Sequence, residues 1–320
     1  MPEDANNFYE SERVSARTVE FSNLFQMTMA GNLFVPADLD RNAVHPAIVV
    51  GHPMGAVKEQ SANLYATQLA ERGFVTLAID LPCWGDSEGP RNRVSPDLYA
   101  EGFSAGVDFL ASQAFVNADA IGGIGICGSG GFILSAAKID SRLKAIATVS
   151  MYDMGQASRH GIGNSVSLDD RKAMIDTASA QRNVEFAGGE TEYTGGAPHT
   201  IDANSDPVAR EFYDFYRTPR GEFTPKGQSS ARTTHPTLTS NVKFLNFYPF
   251  NDLDTIAPRP LLFVSGDQAH SREFSEDAYA RAAEPKELYW VPGAGHVDLY
   301  DRLSLIPFDK LERFFSDALA

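Results

Sequence analysis

Cysteine is scarce: Cys83 and Cys127 are the two in 320 residues, and they lie far apart along the chain. That excludes a disulfide scaffold and the closely paired Cys and His spacing of a structural zinc site, so no metal is expected. Basic charge is also scarce, with 27 Lys and Arg against 42 Asp and Glu, a formal charge of −15 and a pI near 4.8. A nucleic-acid or anionic-membrane partner needs a basic face to neutralise phosphates, so neither is expected, and the acidity reads as solubility. No stretch reaches the roughly 18 uninterrupted apolar residues of a membrane span. The opening MPEDANNFYESERV lacks the basic and apolar regions of a secretion signal. A cytoplasmic protein is the expectation, with both thiols unpaired. There is no internal repeat.

What the chain does have is enough apolar material, 43% of residues, for a substantial core. Two leading β-patterned runs, RTVEFSN and LFQMTMAGNLFVP, suggest an antiparallel pair. Six short apolar runs follow: AIVVGH from Ala47, FVTLAID from Phe74, AIGGIGI from Ala120, KAIATVS from Lys144, PLLFVSG from Pro260 and ELYWVPG from Glu287. Runs of this kind are buried on both faces of a parallel sheet. Between most of them lie amphipathic helical segments, among them QSANLYATQLAERG and SPDLYAEGFSAGVDFLASQ, the latter opening on Ser95 and Pro96 as cap and first helical residue. The alternation predicts an α/β protein with a mostly parallel, doubly wound sheet. Roughly a hundred residues between KAIATVS and PLLFVSG break it, far longer than an ordinary connection. The predicted organisation is therefore a core in two parts, residues 1–150 and 259–320, with an inserted helical cap over residues 151–258 between strands 6 and 7.

The stretch IGGIGICGSGG allows three readings. Gly123, Gly125 and Gly128 form a dinucleotide-type Gly-x-Gly-x-x-Gly, which should follow the first strand of a βαβ unit and be succeeded by an acidic residue about 20 positions on. Here it comes late in the strand order and Asp153 falls past that spacing, so no cofactor is expected. The other two readings are nucleophile elbows, sharp strand-to-helix turns that need small residues two before and two after the nucleophile. Both Cys127 and Ser129 satisfy the size rule. The strand run ends at Ile126, which puts Cys127 on the turn and Ser129 inside the first helical turn, and so favours Cys127. The neighbouring helix amino terminus favours its thiolate.

A base is placed to match. His296 follows the last strand run across a short glycine-containing loop, PGAGHVDLYD. The loop HPMG after the AIVVG strand supplies an oxyanion site, with the Met54 and Gly128 amides as donors and His52 as a residue that orients the loop. Cys83, in DLPCWGDSEG, reads as a structural loop cysteine.

Three blocks then stand together: GHPMGAVKEQ from Gly51 to Gln60, GICGSGG from Gly125 to Gly131 and GAGHVDLYD from Gly293 to Asp301. With them, the chain from about residue 15 onward resembles α/β-hydrolases related to dienelactone hydrolase. The resemblance implies the α/β-hydrolase fold, a Cys-His-acid triad, and action on a small ester, thioester or lactone by hydrolysis or acyl transfer. The acid departs from the common pattern, because SGDQAHSREFSE carries Ala269 where Asp is usual. Asp267 and Asp153 are equal candidates, with Glu273 and Glu276 behind them. Aromatics of the cap, Phe212, Tyr213, Phe215, Tyr216, Phe247, Tyr248 and Phe250, either line a pocket or pack cap against sheet. The same cap could serve a homodimer contact.

Overall fold

A computed structural model describes residues 2–320. Eight strands form one sheet: β1 (Val14–Ser22), β2 (Thr28–Pro36), β3 (His45–Gly51), β4 (Val75–Ile79), β5 (Val116–Ile126), β6 (Leu143–Val149), β7 (Leu261–Gly266) and β8 (Lys286–Val291). Their order is β1-β2-β4-β3-β5-β6-β7-β8. The β1–β2 and β2–β4 pairs are antiparallel and the rest parallel, as the two leading runs and the six apolar runs predict. The central strands read as continuous apolar runs because helices cover both faces; Ile48, Val49 and Val50 of β3 and every residue of β4 and β7 are buried.

The helices are α1 (Ala62–Ala70), α2 (Pro96–Ala111), α3 (Ser129–Ile139), α4 (Met154–His160), α5 (Leu168–Phe186), α6 (Pro207–Tyr216), α7 (Leu238–Asn241), α8 (Arg272–Arg281), α9 (Asp298–Asp301) and α10 (Phe308–Ala318). Ser95 stands at the start of α2 without making the side-chain cap its type suggests; Pro96 there presets the first turn. Four helices, α4 to α7, and short 3-10 turns occupy the stretch between β6 and β7. Ser167 and Asp170 close a reciprocal capping box on α5, and Asp206 caps α6 through the Ala209 N–H at 2.9 Å. The helix α5 buries only Ala178 and Gln181, whereas α6 turns Phe215 and Tyr216 inward. The cis peptides precede Pro258 and Pro285.

Strand order positions the site. From β3 the chain crosses to β4 on one side, and β5 lies on the other, so the connections diverge at the carboxyl ends of β3 and β5 and leave a crevice there. Register aligns Gly51 with Gly125, so the loop after β3 and the turn after β5 start level with each other. The carboxyl ends of β6, β7 and β8 share that edge, which is where the β6–β7 insertion emerges.

Candidate active site

Cys127 follows the last residue of β5 with φ of +54°, a left-handed conformation that costs a non-glycine residue energy. Hydrogen bonds hold it there: its N–H donates to the Val149 carbonyl at 3.0 Å, and its carbonyl accepts from the Gly130 and Tyr152 N–H groups at 2.9 Å each. Glycine is required on both sides. A Cβ on Gly125 would stand 2.2 Å from the Ser129 carbonyl oxygen, and one on Gly128 would stand 2.6 Å from Met54 Cβ. The turn after β5 therefore touches the loop after β3. These contacts also account for the dinucleotide-like spacing: Gly123 and Gly125 lie inside β5, where a Cβ on either would run into Ile133 or Ser129.

Ser129 is the first residue of α3, and its buried hydroxyl donates to the His52 carbonyl at 2.5 Å, bracing the two loops. His52 orients its own loop. Its Nδ1 donates to the Pro53 carbonyl at 2.7 Å while Nε2 accepts the Leu81 N–H at 3.1 Å, an arrangement that fixes one tautomer. Burial lowers its pKa. Below it Lys58 Nζ sits 2.7 Å from both Asp80 Oδ2 and Asp86 Oδ2, and the Lys58 N–H reaches Asp80 Oδ1 at 2.8 Å. This buried ion pair clamps the loop after β3 to the end of β4. Cys83 is buried too, packed where a Cβ on Gly89 would meet its sulfur at 2.6 Å, and both cysteines are unpaired.

The Gly128 and Met54 N–H groups and the Tyr300 hydroxyl are the polar neighbours that favour a Cys127 thiolate. Burial is the larger influence and pushes the thiol up, with these neighbours pulling the other way. The helix amino terminus thus does not give the resting thiolate expected from sequence; desolvation outweighs it.

His296 lies beyond β8 and is fully buried. Its Nε2 is 2.9 Å from the Tyr300 hydroxyl and its Nδ1 is 2.6 Å from Ser271 Oγ. Tyr152 and Phe212 meet the imidazole edge-on, with centroids 5.1 and 5.6 Å away, and His270 lies alongside at 4.7 Å. Burial, then the neighbouring His270, hold its pKa well below the ordinary 6.5, so the ring is neutral, with a hydroxyl at each nitrogen, Ser271 at Nδ1 and Tyr300 at Nε2.

The carboxylates weighed from sequence go elsewhere. Asp267 accepts the Gly293 N–H at 2.8 Å, tying the β7 and β8 loops together. Asp153 caps α4 through the Gln156 N–H at 2.8 Å, and burial raises its pKa to about 6. Glu273 accepts the Gly163 N–H at 3.0 Å, and Glu276 pairs with Arg272 at 2.8 Å. The partner of His296 Nδ1 is instead Ser271, because the turn after Gly266 delivers the residue preceding α8, not Asp267, under the imidazole. The nearby carboxylate from the cap is Glu211 of α6, which accepts the Val297 N–H at 2.7 Å and pairs with His270 Nδ1 at 3.0 Å. Nothing in its sequence surroundings marks Glu211 or Ser271; Tyr300 lay inside the GAGHVDLYD block without an assigned role.

Above the sulfur opens a cavity of about 280 Å³ whose lining includes Met54, Cys127, Phe212, Tyr216, Phe244 and Tyr300. Phe212 and Tyr216 of the cap face it. Phe215 and Phe250 are core, Phe247 packs on Phe132, and Tyr248 is half exposed beneath Arg159. Arg220 ties the β6–β7 insertion to this edge through Asp301, at 2.7 Å, and is itself braced within the insertion by Asp214, at 2.7 Å.

Residues 59–303 match the alpha/beta hydrolase family. The chain belongs to that family. This α/β-hydrolase is 44% identical over 311 residues to an uncharacterized protein of Pseudomonas aeruginosa, covering 97% of this chain and 82% of that one. The crystal structure of the Pseudomonas protein superposes with a TM-score of 0.91 at 42% identity, over 100% of this chain and 98% of the other. It is also 27% identical over 294 residues to the acyltransferase drtE of Aspergillus calidoustus, covering 90% and 89% of the two chains. Similarity to the thiohydrolase aneE of Aspergillus aculeatus is 23% identity over 294 residues, 90% and 88% of the two chains. Family and fold support an enzyme. Among the described residues no helix is long and apolar enough to cross a membrane.

Proposed function

We propose that the chain is a Cys-dependent hydrolase of the dienelactone-hydrolase-like type, cleaving a small carboxylic ester, thioester or lactone through an acyl-enzyme. The observation that carries this reading is Cys127 on the cavity wall, held left-handed at the strand-to-helix turn where Gly128 presses against Met54 of the loop after β3. Cys127 attacks the carbonyl carbon, and the Met54 and Gly128 amides hold the oxyanion that develops beside the sulfur. His296 takes the thiol proton, returns it to the leaving group, and then draws a proton from the water that releases the acid. Ser271, in place of a carboxylate, orients the imidazole through its hydrogen bond at Nδ1. In this reading Asp267 and Asp153 are structural.

Acyl transfer is the second reading, favoured by the name of the Aspergillus acyltransferase relative. It differs only in which nucleophile resolves the acyl-enzyme. The test is turnover of p-nitrophenyl and acyl-thioester panels with intact-mass detection of the adduct. Cys127→Ala should abolish both turnover and adduct at an unchanged melting temperature, while Ser129→Ala keeps most of the rate. Near-normal turnover by Cys127→Ala would end the proposal. Faster product formation with added alcohol or amine acceptors than with water alone would favour transfer.

A further inference from the structure

Two separate loops deliver His296 and the hydroxyl at its Nδ1. His296 lies in the loop after β8 and Ser271 at the end of the loop after β7, so the imidazole is aimed only while the two loops keep one relative position. Part of that position is set at the sheet edge. Asp267 accepts the Gly293 N–H at 2.8 Å, and the Ala294 carbonyl accepts the Gln268 N–H at 3.1 Å. Among the described residues, and apart from the Ser271–His296 bond itself, the hydrogen bonds from loop to loop end there.

Beyond them one carboxylate of the cap spans the gap. Glu211 Oε1 accepts the N–H of Val297, the residue after His296, at 2.7 Å, and Oε2 meets Nδ1 of His270, the residue before Ser271, at 3.0 Å. A carboxylate only accepts, so that His270 nitrogen carries the hydrogen. Glycine at 295 leaves room for the approach, since a Cβ there would stand 2.9 Å from the same Oε1. Arg220, also of the insertion, donates from Nη2 to the Val297 carbonyl at 3.2 Å, and both backbone polar groups of Val297 are thereby gripped from one side. The His270 ring lies against that of His296, centroids 4.7 Å apart. Phe212, next to Glu211 on α6, meets both rings edge-on at 5.6 Å. One turn of α6 therefore packs on the imidazole and holds the chain on either side of the Ser271–His296 pair.

We propose that Glu211 is a positioning residue for the base, a carboxylate supplied by the cap that keeps His296 and Ser271 in register by holding Val297 and His270. This inference rests on His296 serving as base in the chemistry proposed above. The two nitrogens of His296 are met by Ser271 and Tyr300, so Glu211 acts through the geometry of the loops and not as a triad acid. The cap then takes part in the chemical step: α6 lines the cavity with Phe212 and Tyr216, and through Glu211 it sets the base.

Three variants at this one position, assayed with p-nitrophenyl acetate at pH 7.5, test the assignment. Glu211→Ala releases both contacts, and because a displacement of about 1 Å can cost about a hundredfold in rate, kcat should fall by about ten- to a hundredfold. KM should stay within about threefold of wild type, since His296 serves acylation and deacylation alike and both steps slow. Glu211→Asp keeps the charge but shortens the reach by one methylene, and it should fall nearly as far. Glu211→Gln keeps the reach and drops the charge. Its Oε1 still accepts the Val297 N–H, and its amide donates to His270 Nδ1 once that hydrogen moves to the buried Nε2, which has no partner to lose. The Gln variant should therefore recover kcat to within about threefold of wild type. The opposite order, Asp active and Gln impaired, would assign the effect to charge and overturn the proposal, as would Glu211→Ala within about threefold of wild type. A raised KM with a lowered melting temperature in all three variants would show a packing role and overturn it too. If Glu211→Ala does not fold, the order of Asp and Gln decides alone, equal rates counting against the proposal. Abolished turnover in His296→Ala beside a normal Glu211→Ala would remove the positioning role only, whereas an active His296→Ala would remove the base on which it rests.

Discussion

Asp153→Asn separates a buried structural carboxylate from a catalytic one. Burial pushes the Asp153 carboxyl from the ordinary 3.8 up to about 6, against the Gln156 N–H and Arg159 that favour its charge. Below pH 3.8 the group is protonated in folded and unfolded chains alike and contributes no difference. Between 3.8 and 6 the unfolded chain releases its proton first, so the folded state loses stability as pH rises, and above 6 the loss is constant. A raised value of about two units corresponds to about 3 kcal/mol at 1.36 kcal/mol per unit. Asn carries no charge at any of these pH values and caps a helix as well as Asp. The variant should therefore match wild type near pH 4 and exceed it by about 3 kcal/mol at pH 7.5, which over 320 residues raises the melting temperature by roughly 4 °C. Urea unfolding at pH 4, 5, 6 and 7.5 measures the difference, and ester hydrolysis at pH 7.5 should be unchanged, because Asp153 bonds Gln156 and not His296. A variant less stable at pH 7.5, or a difference that does not grow with pH, would refute the electrostatic argument. A rate lower by orders of magnitude at intact fold would make Asp153 the triad acid after all.

Three further outcomes follow from the site. Ser271→Ala strands the buried His296 Nδ1, a loss of about 1–3 kcal/mol that should appear as a roughly 5- to 150-fold fall in kcat/KM, while Asp267→Asn stays near wild type; the reverse pattern would return the acid to Asp267. Lys58→Met leaves the fully buried Asp80 carboxylate without its cation and should cost about 3–5 kcal/mol by urea unfolding, partly recovered by adding Asp80→Asn; an additive double variant would show the pair to be uncoupled. Because His296 is held well below 6.5, kcat/KM should stay level from pH 8 through 6.5 and fall only at more acid pH, and iodoacetamide should label the raised Cys127 thiol slowly at pH 7 and faster as pH increases. An acid limb centred at 6.5 or above would contradict that environment.

The parallel sheet, the leading hairpin, the long β6–β7 insertion and the place of Cys127 at a strand end were all legible in the sequence. Each depends on local signals: runs of apolar residues between turn residues, helical periodicity, and glycines at the positions where two backbones touch. His296 was legible for the same reason, since a short loop after the last strand leaves it little choice of edge. What surrounds the imidazole was not. Ser271, Glu211 of α6 and Tyr300 of α9 meet there from separate stretches of the chain, and the path of the turn after Gly266 sends Asp267 to the Gly293 N–H and brings Ser271 beneath Nδ1. The ionisation of Cys127 was decided in the same way. Sequence places a helix amino terminus beside the thiol, but only the assembled cap and sheet remove the water whose loss outweighs it.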